Sequence, residues 1–99
     1  MSTELASKID TSWIFAHPKK YKVILLNDDL TPMDFVIEIL IGIFNKSESE
    51  AHQITLAVHN TGSGIAGIFN YEVAEQKSHE ATTISRSAGF PLTLKVEEE

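Results

Sequence analysis

The chain has 99 residues, 42% of them apolar and 22% charged, with a formal net charge of −6. This is the size and composition of one globular domain, and the acidity excludes sequence-independent nucleic-acid binding, which needs clustered Lys and Arg. There is no cysteine, which excludes disulfides and thiolate zinc sites.

A domain of this length buries only about 60–70% of the surface its unfolded chain exposes, so its core must be compact. An acidic surface suits a basic or amino-bearing partner. No stretch approaches the roughly 18 consecutive apolar residues of a membrane span. The opening MSTELASKIDTSWIFAHP has only the short apolar run Trp13-Ile14-Phe15-Ala16, too short for the core of a secretory signal. The expectation is a soluble cytoplasmic protein that binds no membrane.

Residues 1–18 show neither helical nor strand periodicity and close on His17-Pro18. They read as a flexible extension outside a core domain of residues 19–99, with Trp13 and Phe15 making it stickier than most tails. Lys19 to Leu26 reads as the first strand. Its continuous run Val23-Ile24-Leu25-Leu26 is the pattern of a central strand covered on both faces.

The run stops at Asn27-Asp28-Asp29-Leu30 and a helix follows, over about residues 32–45. Thr31 reads as its N-cap, Pro32 as the first helical residue and Asp34 as the closing acid of a capping box. Leu30 and Phe35 take the staple positions around that cap. The helix is apolar nearly all round, with Asp34, Glu38 and Gly42 forming a narrow non-apolar stripe. Met33, Val36 and Leu40 share a face that begins beside the two aspartates.

Ser47-Glu48-Ser49-Glu50 is a second capping box. The helix behind it runs to about residue 58 or 59 and ends at Asn60-Thr61-Gly62. The strand GIAGIF, residues 64–69, carries two glycines that suggest a bend or a close backbone approach. Asn70 caps a third helix over about residues 71–88, with Ala74, Ala81, Ile84 and Ala88 on one face, Lys77 in the same register, and Gly89 behind it. Pro91 to Val96 alternates as a half-buried strand. The order β-α-α-β-α-β fits an α+β sandwich, a three-stranded antiparallel sheet packed with three helices.

The polar candidates are Asn27, Asp28 and Asp29 at a strand end and His59 at a helix end, with His52 two turns earlier. Four chemistries are open to them. They form a solvated turn, or Asp28 and His59 form an acid–base pair, though no nucleophile or oxyanion loop accompanies it. Asp28, Asp29, His59 and His52 bind a metal for hydrolysis, though at no compact ligand spacing. Or Asn27 and Asp28 form an acceptor-rich corner for an ammonium group beside the apolar Met33 and Val36.

The strings YKVILLNDDLTPMDFVIEIL, LAVHNTGSGIAGIF, EVAEQK and GFPLTLKVE closely resemble the ClpS family, bacterial adaptors of the ATP-dependent Clp protease. The resemblance covers roughly residues 19–97. It implies a fold similar to the C-terminal domain of the ribosomal stalk protein, with no catalysis, cofactor or metal. The family binds the free α-amino group and bulky first residue (Leu, Phe, Tyr or Trp) of N-degron substrates and delivers them to the ClpA unfoldase of the ClpAP protease.

By that resemblance Asn27, Asp28 and His59 hold the amine, and Asp29 and Thr31 serve the loop and peptide backbone. Met33, Val36, Thr55 and Leu92 line the side-chain pocket. Glu72 and Lys77 meet the N-terminal domain of the unfoldase, and the extension serves delivery. The protein would act as a monomer. Thr55 departs from the larger apolar residue, typically methionine, of many members, so the ranking among first residues does not carry over. A same-fold regulator of the unfoldase without recognition of N-terminal residues is the alternative.

Overall fold

The computed structural model describes residues 19–99; the expected extension, with Trp13 and Phe15, lies outside them. The elements are β1 (Tyr21–Leu26), α1 (Met33–Gly42), α2 (Glu48–Thr61), β2 (Ser63–Phe69), α3 (Tyr71–Ser87) and β3 (Thr93–Glu98). The expected order β-α-α-β-α-β and the antiparallel three-stranded sheet are both present, and β1 is central between β2 and β3.

The helices cover one face of the sheet, whereas the apolar run of β1 predicted two covered faces. Val23 and Leu25 point into the core and are fully buried, but Ile24 is only half-buried. Its cross-strand partner Ile65 and the neighbouring Ile68 are each 44% exposed. A continuous apolar strand can therefore be central without a second layer, because hydrophobic residues are not confined to interiors. The register of β1 against β2 shifts between Val23 and Ile24, placing Ala66 as an extra, fully buried residue in the manner of a β-bulge.

On the covered face α2 lies against β2, α3 crosses the sheet, and α1 leans on α2. The core gathers Val23, Leu25, Leu40, Val58, Ala66 and Leu92. Each fully buried leucine contributes about 1.5–3 kcal/mol. The α3 residues in this core are Ala74, Ala81 and Ser85, all fully buried. Small side chains let the helix sit close on the strands, and Ser85 satisfies its hydroxyl on the Ala81 carbonyl at 2.7 Å. Ile84, expected on that face, is 43% exposed; the buried line drifts round the helix to Ser85 because 3.6 residues make a turn.

Helix ends follow local chemistry, with one exception. Ser47 and Glu50 form the expected capping box, each side chain meeting the other's backbone N–H at 3.1 Å. Asn70 caps α3 by accepting from the Val73 N–H. Gly62 and Gly89 follow α2 and α3 in left-handed conformation, as helix-ending residues do.

The exception is α1. Its N-cap is Pro32, not Thr31, and no side chain caps it. The Thr31 hydroxyl donates to the Asp28 carboxylate at 2.8 Å, a charge-assisted bond that ties its oxygen to the preceding loop, and no helix N–H donates to it. Leu30, 74% exposed, is no staple. The helix also stops at Gly42, short of the expected end, and Asn45 at φ 56° turns the chain toward α2, a conformation asparagine tolerates.

Candidate functional site

A cavity of about 220 Å³ opens where β1 ends and α1 and α2 converge. Its mouth carries Asn27, Asp28, Asp29 and His59; Met33, Val36, Thr55 and Val58 form its apolar part, and Thr31 joins from the loop. The chain thus brings together all but one of the residues expected at the amine, loop and pocket positions. Leu92 is the outlier: at 1% exposure it belongs to the core and is not among the lining residues. Val58 also lines the cavity, although the sequence marks it only as an apolar residue near the end of the helix. Its spacing from Thr55 and His59 puts all three on one side of α2, a signal that would have found it.

Two backbone features hold this corner. The Asn27 N–H donates to the Gly62 carbonyl at 2.9 Å, tying the end of β1 to the end of α2, whose last turn bears His59. Behind Asn27 the loop closes on Asp28. Its Oδ1 accepts from the N–H groups of Leu30 (2.8 Å) and Thr31 (2.7 Å), and its Oδ2 accepts from the Thr31 hydroxyl. Asp28 is therefore the residue that shapes the loop. Among the described residues the Asp29 side chain makes no such bond, and it stands exposed at the mouth.

Burial pushes the Asp28 carboxyl up, but the Thr31 hydroxyl, the two backbone N–H groups and nearby Arg86 outweigh it and hold the group below its ordinary value. The carboxylate is thus charged and fixed. A carboxylate offers about four acceptor positions, and three are in use, which leaves one on Oδ2 for a further donor.

The walls are apolar with one anomaly. Thr55 is 3% exposed and its hydroxyl has no partner among the described residues. An unpaired buried hydroxyl is unfavourable by about 1–3 kcal/mol. Met33 by contrast is partly exposed at the rim. No three His, Asp or Glu side chains converge as metal ligands would among the described residues.

The two remaining expected residues lie elsewhere, on α3. Glu72 is exposed in its first turn. Lys77 is half-buried: its Nζ donates to the Ile43 carbonyl at 2.7 Å and lies 5.5 Å from the Phe69 ring centroid. No described helix is long and apolar enough to cross a membrane.

Comparison with known proteins agrees with this fold. Residues 16–95 match the family model described as ATP-dependent Clp protease adaptor protein ClpS. The ClpS adapter proteins of Treponema denticola and Campylobacter jejuni subsp. jejuni are 49% and 52% identical over 83 and 84 residues, covering 84% and 85% of this chain and 82% and 88% of their own. That of Wolinella succinogenes is 45% identical over 97% of this chain and 94% of its own. The solved structure of Agrobacterium tumefaciens ClpS2 bound to L-phenylalaninamide is 41% identical with a TM-score of 0.80, covering 84% of this chain and all of the other. The chain belongs to the ClpS family of adaptors of the ATP-dependent Clp protease.

Proposed function

We propose that this adaptor captures proteins by a free α-amino group and a bulky apolar first residue, Leu, Phe, Tyr or Trp, and delivers them to a ClpA-type unfoldase. The observation that carries the reading is the cavity itself, with charged and amide acceptors at its mouth and apolar walls behind them. The related ClpS2 structure holds L-phenylalaninamide, which combines a free amine, an aromatic side chain and an amide.

An α-amine has a pKa of about 7.7–8.0 and is mostly ammonium at neutral pH. The Asn27 side-chain carbonyl, the open position on Asp28 and His59 would receive its three N–H donors, with Asp29 available to the following peptide backbone. Each charge-assisted bond is worth about 1.5–3 kcal/mol. The first side chain would enter between Met33, Val36, Thr55 and Val58, adding roughly 1.5–3 kcal/mol for a Leu or Phe. Less the cost of association, such terms correspond to micromolar affinity or somewhat better. The cavity is smaller than the ~300–1,000 Å³ of drug-sized ligand sites and suits one side chain. Fixed helical walls would disfavour β-branched first residues, whose second γ-atom needs room beside Cβ.

In this reading Glu72 and Lys77, both on α3, meet the unfoldase, the extension of residues 1–18 serves delivery, and the adaptor works as a cytoplasmic monomer without cofactor. The test is fluorescence anisotropy with a short peptide beginning with Phe, free and N-acetylated. The free peptide should bind, the acetylated one should not, and Asp28→Ala should abolish binding. Equal binding of both forms would overturn the proposal.

A further inference from the structure

The stripe of Asp34, Glu38 and Gly42 on α1 has no part in the cavity above. Glu38 and Gly42 of it line a second concavity, of about 310 Å³, between α1 and α3. Phe35 and Ile43 supply apolar walls from one side and Ile84, itself 43% exposed, from the other. Glu38 and Glu80 stand exposed on opposite helices at its edge. Among the described residues the ion pairs are Lys19–Glu98 and Lys95–Glu97, so neither glutamate is neutralised. Lys77, on the same side of α3 as Glu80 and Ile84, is turned to the Ile43 carbonyl.

Gly42 is the second, independent feature. It is helical, its φ is not positive, and a Cβ added to it would meet nothing within 4 Å. Neither backbone nor packing requires glycine there, and helix propensity disfavours it against alanine. Its effect is to leave the groove bare beside α1, where Glu38 and Glu80 also line it.

We propose that the α1–α3 groove is a docking site for an amphipathic, basic protein segment. Such a segment seats an aliphatic side chain against Gly42 and Ile84 and brings Lys or Arg to Glu38 and Glu80. The charge pattern selects this occupant: an apolar slot with two unneutralised acids at its edge attracts a cationic partner and repels an acidic one. The groove shares no lining residue with the Asn27–His59 cavity, so the proposal stands apart from amine capture.

The test uses the isotope-labelled full chain and an N-acetylated, C-amidated peptide with Leu at helical spacing and Lys at the remaining positions. Acetylation keeps it from competing as an N-terminal amine. Saturable amide shifts should centre on Glu38, Gly42 and Ile84, and the same peptide with Gln for Lys should bind far less. The double reversal Glu38→Lys with Glu80→Lys should weaken binding about tenfold, the scale of two partly exposed ion pairs. Gly42→Leu, which fills the slot and favours the helix, should abolish it while the circular dichroism spectrum stays unchanged. Glu75→Lys, a single reversal with half that change in net charge on the opposite side of α3, should have little effect. Equal weakening by Glu75→Lys, equal binding of the Gln peptide, or shifts centred on the Asn27–His59 cavity would each overturn the proposal. So would a dimer in sedimentation that Gly42→Leu converts to monomer, since the groove would then belong to a second copy.

Discussion

In the proposed reading Asp28 combines two tasks on one carboxylate, shaping the loop and holding an amine, and its titration exposes the first of them. The group is held below its ordinary value of 3.8 because burial, which raises it, is outweighed by three hydrogen bonds and Arg86. A carboxylate depressed in the folded state stabilises the fold fully above its unfolded pKa, and that contribution is lost as pH falls through the folded pKa. Wild type should therefore exceed Asp28→Asn in urea-unfolding midpoint at neutral pH, and the gap should close as pH drops below 3.8. Glu50 and Glu97, also lowered, act alike in both proteins and cancel in the difference. A gap independent of pH would show that the ionised loop bonds do not hold this turn. The sequence marks the Asn27-Asp28-Asp29 corner plainly, and the family resemblance gives the loop to Asp29 and Thr31, whereas the carboxylate that closes the loop is that of Asp28. Adjacent aspartates are chemically identical, and only the turn that returns Leu30 and Thr31 to Asp28 separates them. Thr31 itself is misread as a helix cap for the same reason, since its hydroxyl finds the carboxylate three residues upstream. The hydroxyl of Thr55 is equally illegible, because partnerlessness is a property of neighbours.

At the scale of elements, α2 is the piece that carries one wall of the site, and Gly64 sets its distance from β2. A Cβ on Gly64 would lie 2.8 Å from Val58 Cγ2 and 3.3 Å from the Ile54 carbonyl oxygen. Neither a β-branched side chain nor a backbone oxygen swings aside freely, so Gly64→Ala should shift α2 from β2 by a few tenths of an ångström, at about 1–3 kcal/mol. Because Thr55, Val58 and His59 ride on α2, affinity for a Phe-initiated peptide should fall together with stability. Ser47→Ala makes the contrast. It removes the Ser47–Glu50 capping box at the far end of the same helix, costing about 1 kcal/mol, and should leave affinity unchanged. Thermal melts and anisotropy on the two variants separate the cases; unchanged peptide affinity in Gly64→Ala would show that the position of α2 does not govern the site. The glycines of β2 announce a close approach in the sequence, and the capping box announces a helix start, because both signals are local. That Gly64 answers to Val58 and Ile54 requires the packing of two elements.

Across the whole molecule, the layers are harder to read than the elements. Element order and the central place of β1 follow from apolar patterning, yet the same pattern predicts a second covered face that Ile24, Ile65 and Ile68 do not have. Long-range joints are hidden still more fully, and Lys77 is the clearest. Its ammonium reaches from α3 to the Ile43 carbonyl just past the end of α1 and lies over Phe69 of β2, so one side chain links three elements. The carbonyls at a helix C-terminus favour a cation. A charge-assisted bond of this kind, partly screened by solvent, is worth about 1–2 kcal/mol. Lys77→Met keeps the apolar stem and removes the charge, so it should lower the unfolding free energy by that amount while peptide affinity holds. An unfoldase complex weakened in this variant would then report loosened α1–α3 packing as well as any lost contact. Glu72→Ala, at an exposed residue in the first turn of α3, should weaken that complex with no change in melting, and the difference between the two variants separates a contact from a brace. A Lys77→Met protein as stable as wild type would reverse the assignment and leave Lys77 free for the partner.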